Sequence, residues 1–340
     1  MKIRVVLHKP SKEGEDPLDE RLKPLVWNPQ QNGPIPPPAR IEPPAEAAEV
    51  NRLKRKHYRN FDEKKFDQRL ADFEKLDFDD PKFDLLSAVE NVLRQTPDGG
   101  SLVPTSWDEI PPGNVLWRAR SMSREELNNG DITPSDLWEA PRQHARQGRL
   151  NEANEPVLYT CWGRPLGTLL EARINQPGDT FILVGYKVWK SIRVRRVGVS
   201  NPDTELSKDH QRVEEKVSRF LAESLSIPAF DDDPRIYSFT RQLLRTIYRL
   251  EPGWEVGWAY ASTLVGPDVV NVAIEPKAAH ARLEVVSVIK GEFVESRGDE
   301  IRCSFEGYSD GRAARKGRLM FKDFPTDQIS SLQDYFDFLQ

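Results

Sequence analysis

Apolar positions along the chain follow helical spacing in some segments and strand spacing in others, which predicts a mixed fold. From 45 to 80 they recur every three to five residues, as in a helix, and a second short helix is predicted over 81–95. Strand-like runs follow at 114–120, 157–161 and 180–199. The first half of the chain therefore passes from helices to strands.

The second half continues with both kinds of element. A helix is predicted over 206–225, and another begins at Pro234 with Asp233 as its N-cap. Further strands are predicted over 255–261, 269–274 and 283–289, followed by a hairpin over 292–321 and a closing helix over 326–339. Because the strands occur in separate runs without regular βαβ alternation, the pattern predicts the α+β class.

Composition limits the cellular compartments and the classes of binding partner that fit this protein. The net charge of −5 argues against a protein that coats duplex nucleic acid, but it leaves room for a local basic pocket that binds a small anion. Two cysteines cannot form a disulfide framework, so a reducing cytoplasm fits best. No apolar run has the length of a membrane span, and the first residues are not typical of a secretory signal. We therefore predict a cytoplasmic protein with no nucleic-acid or membrane partner.

Several common catalytic motifs are missing from the sequence. The five histidines are scattered, with no HExxH motif and no cysteine pair at metal spacing, so no metal site is predicted. Cys161 alternates with Val157 and Tyr159 on an apolar strand, which favours a buried structural thiol over a nucleophile. There is also no GxSxG elbow, Walker loop or GxGxxG turn.

The chemistry-bearing motifs concentrate after residue 111. Between Gly148 and Glu171 the chain passes from a Gly-Arg turn through an Asn-rich loop and an apolar strand to a proline-started helix. Loops and element ends are where binding groups usually lie. The ordered motifs are Trp117-Arg118, Gly148-Arg149-Leu150-Asn151, Leu158-Tyr159, Glu171, Tyr260-Ala261-Ser262 and Asn271-Val272-Ala273.

This ordered series resembles the RES domain, a bacterial family named for its arginine, glutamate and serine. The similar features are an aromatic-Arg strand, a Gly-Arg turn with a following Asn, a Leu-Tyr strand, a helix ending in glutamate, a late serine and an Asn-Val-Ala strand. Leu150 stands where the family has an aromatic residue, and Ala261 where it has a proline. Either Arg118 or Arg120 could be the family arginine, because the two alternate on one strand.

The resemblance implies an ADP-ribosyltransferase-like fold, with a small split mixed β core and flanking helices around an NAD cleft. It implies an NAD-degrading bacterial toxin that uses phosphate or water as acceptor, with NAD as substrate and no metal. A helix-turn-helix antitoxin would be a partner, and homo-oligomerisation stays open. Glu171 would be catalytic, and the NAD-binding residues would be Arg118, Arg120, Arg149, Asn151, Tyr159, Tyr260 and Ser262.

The chemistry of these residue types agrees with that role. Cleavage of the nicotinamide–ribose bond builds positive charge on the ribose, and a carboxylate such as Glu171 stabilises it. Arg118 and Arg149 would offer planar guanidinium forks to the pyrophosphate. Tyr159 would stack on nicotinamide or an adjoining ring, and Ser262 would hydrogen-bond the ribose or the carboxamide. Asn271 fits a structural role better than a ligand-binding one.

The predicted domain organisation follows from where these motifs lie. Residues 1–45, rich in proline, are predicted to be an arm and linker, and 46–110 a helical extension. Residues 111–291 would form the RES-like catalytic domain, and 292–340 a hairpin and helix packed on it. Two other functions stay open: ADP-ribosyl transfer to a protein, or a protein-interaction module with a decayed pocket.

Overall fold

The fold is described here from a computed structural model. The described residues are 4–5, 25–26, 61–76, 84–94, 106–129, 132–163, 165–198, 207–225, 234–246, 248–250, 253, 255–262, 266–297, 300–310, 314–315 and 317–323. Most of the predicted arm (1–45), the predicted N-cap Asp233 and the predicted closing helix (326–339) lie outside them.

Helices and strands are both abundant, which confirms the α+β class. The helices are α1 (Glu63–Phe73), α2 (Leu85–Leu93), α3 (Arg124–Asn129), α4 (Gly167–Glu171), α5 (Lys208–Leu225), α6 (Pro234–Thr246) and α7 (Pro276–Arg282), with 3-10 turns at Pro134–Leu137 and Arg142–His144. Asp62 and Asp84 cap α1 and α2, each accepting a hydrogen bond of 3.1 Å from a backbone N–H three residues on.

The main element is a ten-stranded mixed sheet with the order β14-β11-β10-β6-β4-β5-β9-β8-β7-β3. Its neighbours are antiparallel except for β7 and β8, which are parallel. The strands of the chain are β1 (Arg4–Val5), β2 (Leu25–Val26), β3 (Ser106–Ile110), β4 (Val115–Ser121), β5 (Leu158–Gly163), β6 (Thr180–Val188), β7 (Ile192–Val197), β8 (Gly257–Ser262), β9 (Gly266–Ile274), β10 (Leu283–Arg297), β11 (Glu300–Ser309), β12 (Ala314–Arg315), β13 (Arg318–Leu319) and β14 (Lys322–Asp323).

The ladder between β4 and β5, in the middle of the sheet, is short although both strands are long. These strands pair only at Leu116 with Trp162 and at Trp117 with Cys161. On their outer sides, β4 pairs with β6 along its whole length and β5 pairs with β9 along its whole length. The sheet therefore opens between residues 118–121 of β4 and residues 158–160 of β5.

Side chains of successive strand residues point to opposite faces of the sheet. On one face, here called the Glu171 face, paired positions form a row across six strands: Gly185, Trp117, Cys161, Asn271, Tyr260 and Val197. On the other, here called the Arg118 face, lie Leu116, Arg118 and Arg120, together with Trp162. This division decides which predicted site residues can meet.

Different elements cover the two faces. On the Glu171 face, α4 packs Leu166 and Leu169 against Trp117 and Cys161. Farther along the same face, helices α1, α2, α5 and α6 form a separate core over β7, β8 and β9. On the Arg118 face, residues of α3, of the 132–138 loop and of α7 bury the apolar side chains of the sheet. The Glu171 face thus has a junction between two cores.

The structure corrects two predicted boundaries. The predicted run 180–199 is two strands, β6 and β7, which lie in different halves of the sheet because the chain turns at 189–191. Strand β3, which falls inside the predicted helical extension 46–110, is an edge strand of the sheet. The same extension supplies the buried Phe66 and Val89 to the core that contains Leu150.

Candidate functional site

Glu171 is the last residue of α4, and the end of that helix is fixed by backbone hydrogen bonds. The Ile174 N–H donates to the Leu169 carbonyl at 2.9 Å, and the Arg173 N–H donates to the Leu170 carbonyl at 2.9 Å. This 6→1 and 5→2 pattern is the Schellman motif, which needs a left-handed residue. Arg173 takes that conformation, with φ of 58°, although it is not glycine. The helix end that carries Glu171 is therefore closely defined.

Ser262 binds the carboxylate of Glu171 directly. Its hydroxyl donates to Glu171 Oε1, and its side chain is buried while Glu171 is half-buried. Ser262 is the last residue of β8, and a register shift between Ala261 and Ser262 marks a bulge there. Bulges re-aim side chains at strand ends. Ser262 thus stands at a strand end and orients the glutamate.

The turn at 148–151 is held by Asn151 and Tyr159. The Tyr159 hydroxyl donates to Asn151 Oδ1 at 2.8 Å and accepts from the Leu150 N–H at 3.1 Å. The Asn151 amide donates to the carbonyls of Arg146, Glu152 and Glu155 at 2.8 to 3.0 Å. A Cβ on Gly148 would lie 2.5 Å from Asn151 Oδ1, so only glycine fits. Asn151 and the Tyr159 hydroxyl are thus used to build the turn.

Arg149 lies close to the hydroxyls of Tyr159 and Tyr260. Loss of hydration raises the pKa of Tyr159, and the Arg149 guanidinium opposes that rise. Loss of hydration also raises the pKa of Tyr260 well above its ordinary value; Tyr159 and Glu171 raise it further, and Arg149 again opposes. Because charge interactions weaken with distance, Arg149 lies near both tyrosine hydroxyls and Glu171 lies near that of Tyr260.

Helix α6 supports this turn from the side. The Thr240 hydroxyl donates to the Arg149 carbonyl at 3.0 Å. The Arg245 guanidinium pairs with Glu152 at 2.9 Å and with Glu155 at 2.8 Å. Helix α6 was not among the elements predicted to form the site. Its polar residues at 237, 241 and 245 form an i, i+4 stripe, and that stripe was the available signal.

Arg118 and Arg120 lie on the opposite face from Glu171. Arg118 Nη1 donates to the carbonyl of Trp138, and Leu137 offers a second carbonyl at 3.5 Å. Arg120 Nη1 contacts Asp136 Oδ1 at 2.8 Å and the Asp136 carbonyl at 2.9 Å. The structure therefore does not bring these two arginines to Glu171, and both fasten the 132–138 loop to the sheet.

Cys161 and Asn271 occupy the floor of the site and bind each other. Cys161 Sγ donates to Asn271 Oδ1 at 3.0 Å, and both side chains are buried. Burial raises the pKa of the Cys161 thiol, and the nearby Glu171 carboxylate raises it further. A thiol held in the neutral form is a poor nucleophile. The prediction that Cys161 is a buried thiol is confirmed.

Of the predicted residues, the structure assembles Glu171, Ser262, Tyr260, Tyr159, Asn151 and Arg149. In the described part of the chain, no group of three or more histidine, cysteine or acidic side chains could hold a metal ion. No helix within the described ranges is long and apolar enough to cross a membrane. Comparison with models of protein families gives no match, and neither do comparisons with curated proteins and with solved structures.

Proposed function

We propose that the chain is an NAD-consuming enzyme that cleaves the nicotinamide–ribose bond and transfers the ribosyl group to phosphate or water. The observation that carries this proposal is the Glu171 carboxylate. Ser262 orients it, and it lies near the half-buried Tyr260, whose hydroxyl is in turn close to Tyr159 and Arg149. A single oriented carboxylate beside aromatic rings suits the stabilisation of a ribosyl cation.

The reaction needs one negative charge at the ribose and little other chemistry. As the C1′–N bond lengthens, its electron pair leaves with nicotinamide, and positive charge develops on the ribose ring. Glu171 would lie against that charge while Ser262 keeps its orientation. Phosphate is already nucleophilic, so its oxygen can form the new bond to C1′ without a second carboxylate base. Water as acceptor would yield ADP-ribose and release a proton.

The sheet supports the ADP-ribosyltransferase-like arrangement as part of the proposal. It opens between β4 and β5 next to Tyr159, and Trp117 and Cys161 form the last pair before the opening. The junction of the two cores on the Glu171 face lies at the same position. Ligand sites are common where packed units meet. The ten-stranded sheet is larger than the small split core that the resemblance implies.

The roles assigned to the arginines change with the structure. Arg149 remains the candidate for the NAD pyrophosphate, because its backbone is fixed by Thr240 and its charge lies beside Tyr159. Arg118 and Arg120 are not included in the proposed site, since their side chains bind the 132–138 loop. Tyr159 would present its ring to the ligand while its hydroxyl holds the turn.

Incubation of the purified chain with NAD, with and without inorganic phosphate, tests the proposal. Mass analysis should detect free nicotinamide in both reactions, with ADP-ribose phosphate only when phosphate is present and ADP-ribose otherwise. Glu171→Ala is the matched negative control and should give neither product. Intact NAD in all reactions, with NAD binding also absent, would leave the interaction-module alternative in its place.

A related reaction tests the alternative in which the ADP-ribosyl group is transferred to a protein. A mixture containing bacterial proteins and NAD labelled on the adenine should show labelled small molecules and no labelled protein. Label on a protein, dependent on Glu171, would assign ADP-ribosyl transfer to a side chain instead.

Expression in bacteria tests the toxin role. The wild-type chain should lower cellular NAD and slow growth, and Glu171→Ala should do neither.

A further inference from the structure

Arg241 on α6 has a guanidinium nitrogen, Nη1, that lacks a hydrogen-bond partner in the described part of the chain. Its Nη1 atom is buried and has no hydrogen-bond acceptor, and among the described residues its side chain makes no ion pair. The side chain is half-buried, but a buried donor of a charged group that lacks an acceptor is costly, and native structures seldom keep one without a reason. The neighbouring arginine of the same helix, Arg245, has two carboxylate partners.

The position of Arg241 directs it towards the candidate site. It lies one helical turn after Tyr237 and one turn before Arg245, so the three side chains share a stripe of α6. Tyr237 is close enough to Tyr159 to raise the pKa of its hydroxyl, and Arg245 binds Glu152 and Glu155. The adjacent Thr240 donates to the Arg149 carbonyl. Arg245 and Thr240 therefore bind the segment that surrounds Arg149 and Tyr159, and Tyr237 lies near it.

The chemistry of a guanidinium indicates what it binds. Arginine presents a planar set of donors that matches the oxygens of a phosphate group, and it keeps its charge at all ordinary pH values. A phosphate-type anion would supply both the negative charge and the acceptors that Nη1 lacks. Such an anion is a part of the proposed reaction, in which the substrate carries a pyrophosphate and one candidate acceptor is inorganic phosphate.

We propose that Arg241 is an anion-binding residue of the site and takes a phosphate group, either the pyrophosphate of the dinucleotide or inorganic phosphate. The identity of the two candidate ligands rests on the proposed function. The presence of an anion site does not, because it follows from the buried Nη1 atom that lacks an acceptor and from the position of Arg241 beside the Arg149 turn.

Calorimetric titration tests the proposal with two probes, inorganic phosphate alone and NAD alone. The variant is Arg241→Gln, and the matched control is Arg219→Gln, which removes an exposed arginine from the other long helix, α5. Arg241→Gln should weaken the binding of one probe by roughly tenfold to a hundredfold, the range for a lost charge-assisted contact. Loss confined to phosphate assigns the acceptor site, and loss confined to NAD assigns the pyrophosphate site.

Thermal unfolding gives a second readout that a purely structural arginine would not produce. Without phosphate or NAD, Arg241→Gln should melt at about the wild-type temperature or about 2 °C higher, since it removes a charge that lacks a partner. The bound probe should raise the melting temperature of the wild type and of Arg219→Gln, but not of Arg241→Gln. Arg241→Lys keeps the charge without the fork and should keep part of this response.

The outcomes separate this proposal from the proposed function. Phosphate binding that depends on Arg241 in a chain that does not cleave NAD would support the anion site and remove the NAD reaction. Unchanged affinity for both probes in Arg241→Gln, or equal losses in Arg219→Gln, would overturn the anion site even if NAD is cleaved. A marked fall in melting temperature of Arg241→Gln without any probe would show a structural arginine and would overturn it as well.

Discussion

The two faces of the sheet use arginine differently. On the Arg118 face, Arg118 and Arg120 bind backbone carbonyls and one carboxylate of the 132–138 loop. On the Glu171 face, Arg149 lies near the side chains of Tyr159 and Tyr260. Both regions combine arginine, tyrosine and an acidic residue. In the first, the polar atoms serve to hold a loop on the sheet. In the second, a serine orients a carboxylate that lies near Tyr260 and Cys161. Residue types alone therefore do not distinguish a structural cluster from a site.

The difference lies in what each arginine contacts. A backbone carbonyl in a loop that packs on the sheet needs a hydrogen-bond donor, and removal of the arginine leaves that carbonyl unsatisfied. A guanidinium beside two tyrosine hydroxyls instead lies where an anionic ligand can be bound. The two faces consequently make different predictions for equivalent substitutions, in stability on one face and in kinetics on the other.

The largest expected contrast is between Arg118→Ala and Arg149→Ala. Arg118→Ala removes the donor to the Trp138 carbonyl, so the free energy of unfolding should fall by about 2 kcal/mol with the Michaelis constant for NAD unchanged. Arg149→Ala should raise the Michaelis constant roughly tenfold or more, with a smaller loss of stability. Urea unfolding and steady-state kinetics measure the two effects. A raised Michaelis constant for Arg118→Ala with unchanged stability would move the pyrophosphate to the Arg118 face.

A smaller contrast comes from two tyrosines. Tyr159→Phe removes the hydroxyl that joins Leu150 and Asn151, and Tyr186→Phe removes the hydroxyl that donates to the Leu137 carbonyl. Each should lower the free energy of unfolding by about 1 kcal/mol, the net value of such hydrogen bonds. Only Tyr159→Phe should also weaken NAD binding, because the Arg149 turn loosens. Equal kinetic effects of both variants would contradict the separation of the two faces.

The smallest effect concerns the acid stability of the Arg118 face. Burial opposes ionisation of Asp136, but hydrogen bonds from Thr133 and the Arg120 charge outweigh it and lower its pKa below 3.8. Since the folded pKa is depressed, the stabilisation is complete above 3.8 and is lost as pH falls through the folded value. The pair is partly exposed, so Asp136→Asn should cost under about 1 kcal/mol at neutral pH.

Urea unfolding of wild type and Asp136→Asn at a series of pH values checks this effect. The difference between the two should shrink to zero in acid below the folded pKa of Asp136. Asp323→Asn, at an exposed position on the edge strand β14, serves as the control and should show little difference at any pH. A difference between wild type and Asp136→Asn that is constant with pH would mean that the charge of Asp136 does not hold the loop.

Local patterns in the sequence were enough to predict much of the fold. The stripe of apolar residues in 206–225 and the Pro234 start predicted α5 and α6, because helix periodicity and proline preference act within one segment. The short strand and helix around Glu171 were predicted for the same reason. The order of strands in the sheet depends on long-range pairing, and no local pattern in 180–199 indicated that its two halves separate.

The candidate site was predicted in part, for similarly physical reasons. Glu171, Tyr159, Asn151 and Arg149 are close in sequence, so the turn and helix that bring them together are local. Alternation predicted that Arg118 and Arg120 share a face, but it did not say which face Glu171 occupies. The contact of Ser262 with Glu171 joins distant segments through a bulge, and the pairing of α6 with the Arg149 turn is likewise long-range.

The central claim is that the Glu171 carboxylate carries the chemical step on its face of the sheet. Glu171→Gln keeps the shape and the hydrogen bond to Ser262 but removes the charge; Glu126→Gln, on α3 at the Arg118 face, is the control. Nicotinamide release by Glu171→Gln should fall by roughly two to three orders of magnitude. Its NAD affinity, and both quantities in Glu126→Gln, should stay within about twofold of wild type. Near-normal release by Glu171→Gln would contradict the account.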